Sequence, residues 1–397
     1  MRLREARVVR CPPRWLLLRV ESDDGTVGWG EAIGDLHDEV EPALQAMCER
    51  VVGRDVDGIE RIRQQLHKGR FWRDGPVLNT AVSALEMALW DIRGKQCGSP
   101  VHELLGGPVR DRVQVYRNLW GNSPEEFAAS AEAAMSEGLT MVKVSPAGPM
   151  VDVPDDGDLS GIVAVVSAVR EAIGELKLAI DLHGRLSPAA SRRLLPLLEP
   201  YDPCFVEEPC LPDGSAAHLR DLQELHLSQR IPLACGERLL TKRQFADHLF
   251  PAPVAAVLQP DLSLVGGIRA GVEIGAMCEA AQTALAPHCP YGPVQFAASL
   301  QVAAASPAHA FQEYQSLGGA GAGGGTPGGG QAWEFDMLAT AYTVDGGFAD
   351  IPRGRGRGIE VWAERMAVTE ASGDTHTAPR APRPGGSHCE RRDGSAG

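Results

Sequence analysis

Short, near-continuous apolar runs recur along the middle of the chain, at 113–116, 141–145, 177–181, 203–207, 231–236, 255–259, 283–287 and 308–312. Their starts lie 24 to 36 residues apart, and helix-length stretches with apolar periodicity, such as 161–172 and 188–198, separate most of them. Runs that are apolar throughout, rather than alternating, suit strands buried on both faces of a parallel sheet. Eight such strands alternating with helices predict a closed α/β barrel with its chemistry at the C-terminal strand ends. Glycine-rich sequence follows the eighth run instead of a clear helix, so the expected architecture is a (β/α)7β TIM-like barrel.

Residues 1–112 have a different texture. Segments 15–21 and 26–31 flank Asp23-Asp24-Gly25 and read as a β-hairpin with an Asp-Gly turn. Helical periodicity follows at 39–52, 58–67 and 79–95, the last placing Val82, Leu85, Ala88, Leu89 and Ile92 on one face. This predicts an α+β capping domain over 1–112 and a catalytic barrel over 113–317. Segment 318–330 holds nine glycines and reads as a linker. Residues 331–370 regain order, with a strand expected near 359–362, and are expected to return to the cap. The Pro, Gly, Ser, Arg and Thr composition of 371–397 predicts a disordered tail.

At 397 residues one barrel leaves room for that second domain. The formal net charge of −14 argues against an electrostatic nucleic-acid binder. Nine cysteines, scattered without CxxC pairs, read as reduced thiols of a cytoplasmic protein rather than a disulfide framework or zinc site. No run resembles a signal peptide or a membrane span. The expected partners are a small-molecule substrate and further copies of the chain, with neither nucleic acid nor membrane.

Three acids carry the chemistry. Asp181, Glu207 and Glu237 each close or directly follow an apolar run, at intervals of about one strand-plus-helix unit. Carboxylates converging from successive strand ends repel one another unless a hard divalent cation holds them, and such oxygen donors suit Mg²⁺ or Mn²⁺. A histidine, His183, lies two residues beyond Asp181; another, His288, ends the seventh run; Asp261 ends the sixth and Glu313 the eighth. Asp261 is placed to accept a ring N–H of His288 and raise its basicity.

The motifs Asp181-Leu182-His183-Gly184-Arg185, Glu207-Glu208-Pro209, Gly236-Glu237-Arg238, Gln259-Pro260-Asp261 and Ala286-Pro287-His288-Cys289-Pro290 stand in the order found in the enolase superfamily. More narrowly, the chain resembles the sugar-acid dehydratases related to D-galactonate dehydratase, from the N-terminal hairpin to about Gln315 and weakly again near 356–361. The resemblance implies that Asp181, Glu207 and Glu237 hold Mg²⁺, that the Asp261–His288 pair abstracts the C2 proton, and that His183 protonates the departing C3 hydroxyl. It also implies that Glu313 faces the substrate carboxylate or enediolate, which requires a protonated Glu313 or an intervening proton.

One departure separates reactions. Many racemases and cycloisomerases of that superfamily carry Lys-x-Lys on the second strand, the second lysine being a base. This chain reads Lys143-Val144-Ser145, so the second base is absent and elimination is favoured over racemisation. Lys143 is left to contact the substrate carboxylate or to serve a buried structural role. His37, Phe71-Trp72-Arg73 and Trp120 are candidates to approach the barrel mouth from loops. The expected activity is conversion of a hexonate, D-galactonate foremost, to its 2-keto-3-deoxy acid. Another aldonate or aldarate dehydratase, then C2 racemisation or epimerisation, are the alternatives.

Overall fold

The computed structural model describes residues 2–11, 15–55, 58–146, 154–212, 215–315, 338–340 and 342–362. The expected linker at 318–330 and tail at 371–397 lie outside these residues. The chain opens with three antiparallel strands, β1 (Leu3–Cys11), β2 (Trp15–Ser22) and β3 (Val27–Ala32), in the order β1-β2-β3. The hairpin expected from the Asp-Gly turn is β2–β3, with Gly25 at φ 83°. β1 was not expected: its arginines and glutamate mask an edge strand whose faces are unevenly buried. Helices His37–Val51, Ile59–His67 and Pro76–Cys97 complete this domain, and the last is buried along most of its length.

Eight parallel strands follow: β4 (Arg112–Leu119), β5 (Met141–Val144), β6 (Lys177–Asp181), β7 (Phe205–Glu207), β8 (Leu233–Cys235), β9 (Val257–Leu258), β10 (Ala284–Leu285) and β11 (Gln312–Glu313). Each pairs with the next from β4 through β10, and β11 pairs with β4. The Leu285 amide donates to Ala308 O and the Ala310 amide to Leu285 O, which joins the last two strands and closes the ring. Tyr116, Met141, Ala179, Phe205, Ala234, Val257 and Ala286 fill its centre, while a larger apolar layer lies between the strands and their helices.

Leu264 and Tyr291, from barrel loops, pack into the core of the N-terminal domain. The Asn79 side chain adds a hydrogen bond to Leu240 O. The C-terminal residues touch both units. β12 (Leu338–Thr340) pairs with β15 (Glu360–Val361), near the expected strand. β13 (Val344–Asp345) and β14 (Phe348–Asp350) form a hairpin, and β14 lies antiparallel to the start of β4. Beyond it, the Val101 amide donates to Gly356 O, and the buried Arg357 pairs with Asp91 of helix Pro76–Cys97. Among the described residues no helix is long and apolar enough to cross a membrane.

Candidate active site

β6 and β7 are held in a register that sets Asp181 directly beside Glu207. Apart from the exposed Lys177 that opens β6, both strands are apolar up to these residues, so the carboxylates emerge where the buried run stops. Glu237 follows the end of β8 by two residues. Donor oxygens of the three side chains lie within 4.8 Å of one another, and all three residues are buried. The backbone turns sharply after two of these strands. His183 has φ 51° and Glu208 φ 39°, left-handed values uncommon at non-glycine residues and frequent where a site dictates the chain path. At His183 the turn brings the amide to Asp181 Oδ1 at 2.9 Å and the imidazole Nε2 to Asp181 Oδ2 at 3.2 Å.

Crowding shows in the titration of the triad. Burial pushes the Glu237 carboxyl up to about 8, with Asp181 and Glu207 adding to the rise and His288 opposing it. Burial and Asp181 push Glu207 up to about 7. Asp181 goes the other way, to about 2, because His183 and Lys143 outweigh its own burial. One oxygen of Glu207 is buried without a hydrogen-bond partner. Three hard, converging oxygen donors with an unused buried lone pair fit a divalent cation of the Mg²⁺ or Mn²⁺ kind.

His288 lies three residues past β10, four strands around the eight-membered ring from β6. Its Nδ1 is 2.8 Å from Asp261 Oδ2 and its Nε2 3.1 Å from Glu237 Oε2. The two histidines thus approach the carboxylate cluster from opposed strands, each against a different member of the triad. Burial opposes protonation of His288, but Glu237, Glu313 and Asp261 together raise it to about 10. Burial lowers His183, with Lys143 adding to the fall and Asp181 resisting it.

Lys143, on β5, is enclosed. Its Nζ lies 2.8 Å from Glu207, 3.0 Å from Glu313 and 3.3 Å from Asp181, above the Tyr116 ring. The ammonium is thus placed among carboxylates that would otherwise repel. Glu313 also accepts hydrogen bonds from Asn118 Nδ2 at 2.8 Å and the Cys289 amide at 2.7 Å. Burial favours the neutral form of Glu313, but Lys143, His288 and the Cys289 amide hold its carboxyl below the usual value. Without substrate its oxygens are thus already met by Lys143, Asn118 and the Cys289 amide.

Several partners carried no role in the sequence reading. Arg238 pairs with both Glu208 and Glu237, so the second acid of Glu207-Glu208-Pro209 and the last residue of Gly236-Glu237-Arg238 meet across neighbouring strand ends. Gln295 donates to Asp261 Oδ1 at 2.7 Å, behind the imidazole. His37 instead finds local partners, Gly34 O at 3.0 Å and Asp38 at 3.4 Å, none of them in the carboxylate cluster. Phe71 and Trp72 pack edge to face with each other and are 89% and 80% exposed.

Comparison with known proteins identifies both domains of the chain. Residues 6–106 match the N-terminal domain of the mandelate racemase / muconate lactonizing enzyme family, and residues 126–365 match the enolase C-terminal domain-like family. A protein from Ralstonia nicotianae named D-galactonate dehydratase is 35% identical over 366 residues, covering 91% of this chain and 92% of that one. Another of that name, from Klebsiella pneumoniae, is 38% identical over 320 residues, covering 80% and 82%. The crystal structure of a mandelate racemase/muconate lactonizing enzyme from Jannaschia sp. superposes with a TM-score of 0.82 at 32% identity, covering 96% of this chain and 99% of that one. By both of its domains, the chain belongs to the mandelate racemase / muconate lactonizing enzyme family of the enolase superfamily.

Proposed function

We propose that the protein is a divalent-metal-dependent hydro-lyase that dehydrates a sugar acid, with D-galactonate as the first substrate to test. The observation that carries this reading is the placement of His183 and His288 on opposed strands, each beside a different carboxylate of one buried triad. Elimination of water across C2 and C3 needs one group to take a proton and another to give one, on a substrate held between them. Ser145, one residue past the second barrel strand β5, stands where a racemase would need its second base and supports elimination.

Asp181, Glu207 and Glu237 would hold the cation, Mg²⁺ or Mn²⁺. When bound, it supplies Lewis-acid stabilisation of the negative charge that develops beside the substrate carboxylate. His288 takes the C2 proton on Nε2, while Asp261 holds Nδ1 and fixes the tautomer. Glu237 is the foremost charge favouring a proton on His288, and a cation held by the triad would offset that charge. His183 delivers a proton to the C3 hydroxyl as its C–O bond breaks. The C2–H electron pair becomes the C2=C3 double bond, water departs, and the resulting enol rearranges to the 2-keto-3-deoxy acid. Asn118, Lys143 and the Cys289 amide hold Glu313 in place at the end of β11.

The test is purified protein with Mg²⁺ and a panel of aldonates and aldarates, followed for 2-keto-3-deoxy products. D-galactonate turnover supports the full reading, and turnover of a different aldonate or aldarate keeps the reaction and changes the substrate. Exchange of the C2 proton with inversion at C2 and no keto product would replace dehydration by epimerisation.

A further inference from the structure

Helix Pro293–Ala305 begins after Gly292, a residue with no side chain to satisfy the free amides of its first turn. Those amides are met from the other domain. Glu31, on β3, is fully buried and accepts from the Gly292 amide at 2.6 Å through one oxygen and from the Gln295 amide at 2.8 Å through the other. A Cβ on Gly292 would stand 2.5 Å from that carboxylate, so the glycine is what admits it. The backbone of Gly292, at φ −106° and ψ −176°, is one that other residues adopt without strain.

The helix start pinned in this way carries Gln295. Its side-chain amide donates to Asp261 Oδ1 at 2.7 Å and reaches the His288 carbonyl at 3.4 Å, and Asp261 Oδ2 holds His288 Nδ1 at 2.8 Å. An unbroken series of buried contacts therefore runs from a strand of the first domain to the imidazole. Every member is over 90% buried except His288, whose side chain is 14% exposed where it faces the carboxylate cluster.

We propose that Glu31 and Gln295 are positioning residues: Glu31 caps helix Pro293–Ala305 from the first domain, and Gln295 passes that constraint to Asp261 and so aims His288. This rests on the reading of His288 as the base. Neither residue touches the cluster where substrate would sit, so their loss should be felt in aim rather than in binding. Groups that orient a functional side chain from behind contribute roughly 10- to 100-fold to activity.

The experiment compares Gln295→Met, Glu31→Ala, Gly292→Ser, the double variant Glu31→Ala/Gly292→Ser and His288→Asn in the full chain, with Mg²⁺ and D-galactonate. Amide hydrogen exchange of segment 288–299 is measured alongside, because it reports the helix start whatever the substrate. Gln295→Met should lower kcat about 10- to 100-fold with KM within about twofold of wild type. Glu31→Ala should lower kcat and speed exchange in 288–299. A serine at 292 supplies a local cap that only the missing carboxylate leaves room for. Gly292→Ser should thus harm the wild type yet restore both protection and kcat in Glu31→Ala. Unchanged exchange in Glu31→Ala, or no rescue by serine, overturns the capping role. Unchanged kcat in Gln295→Met and Glu31→Ala beside an inactive His288→Asn overturns the positioning role while leaving the reaction intact. An active His288→Asn overturns the assignment of the base itself.

Discussion

Lys143 donates to Glu207 across 2.8 Å with neither side chain reaching solvent. Glu207 belongs to the candidate metal triad, so the same carboxylate answers to an ammonium behind it and a cation site in front. Removing one partner of a buried ion pair leaves its charge uncompensated, at a cost of about 3–5 kcal/mol. Lys143→Met should lose stability on that scale in urea without divalent ions, and should recover more on adding Mg²⁺ than the wild type gains. Equal losses with and without Mg²⁺ would show that the ammonium does not share charge balance with the cation site.

The two histidines separate the halves of the reaction. His288→Asn should abolish exchange of the C2 proton in deuterated water, whereas His183→Asn should block dehydration while exchange continues. Each loss is expected at roughly 10²- to 10⁴-fold, the usual contribution of a positioned acid or base. Near wild-type C2 exchange in His288→Asn would mean that another group takes the proton.

Metal removal should be visible without any substrate. A ligand that binds only the folded chain stabilises it by about 2.7 kcal/mol at a hundred times its dissociation constant. Mg²⁺ should therefore raise the unfolding midpoint of the wild type, EDTA should reverse the gain, and Asp181→Asn or Glu207→Gln should show little response. A Mg²⁺ shift that survives in both variants would place the cation elsewhere.

A buried carboxylate outside the cluster gives a pH prediction. Glu86 accepts from the Ile268 and Arg269 amides and from the Trp90 indole, and burial, opposed by these donors, pushes its carboxyl from 4.5 up to about 7. The folded state thus keeps this proton at pH values where the unfolded chain has lost it. The resulting stability is complete below the unfolded value and disappears as pH rises through the folded one. Wild type measured against Glu86→Gln should lose relative stability between about pH 5 and about pH 7, by at most about 1.4 kcal/mol per pH unit, and then level off. Urea curves whose difference stays constant over that range would contradict the shift.

The positions of Asp181 and Glu207 were legible because apolar runs stop abruptly at them, and a strand end is a local property. The histidine at 183 was legible for the same reason, although its left-handed backbone was not. The edge strand Leu3–Cys11 escaped notice because its charged residues break the alternation by which a half-buried strand is recognised. The enclosure of Lys143, the donors around Glu313 and the place of Gln295 behind Asp261 depend on contacts between residues distant in the chain. Such contacts leave no periodic trace. The contacts of His37 are instead local, with Gly34 O and Asp38 three residues and one residue away in the chain.

Glu86 and Glu31 serve two successive barrel helices in the same way, since helix Ile268–Ala280 begins after Gly267 as helix Pro293–Ala305 begins after Gly292. In both cases a Cβ on the glycine would collide with the visiting carboxylate. Lock and key are thus written into different domains. A hybrid made by grafting a relative's first domain onto this barrel would inherit the glycines without any guarantee of the glutamates. Its loops are free to diversify and to change what is recognised, but strand β3 and helix Pro76–Cys97 must travel with their acids. Compatibility at positions 31 and 86 is therefore the first criterion for choosing parents in such an exchange.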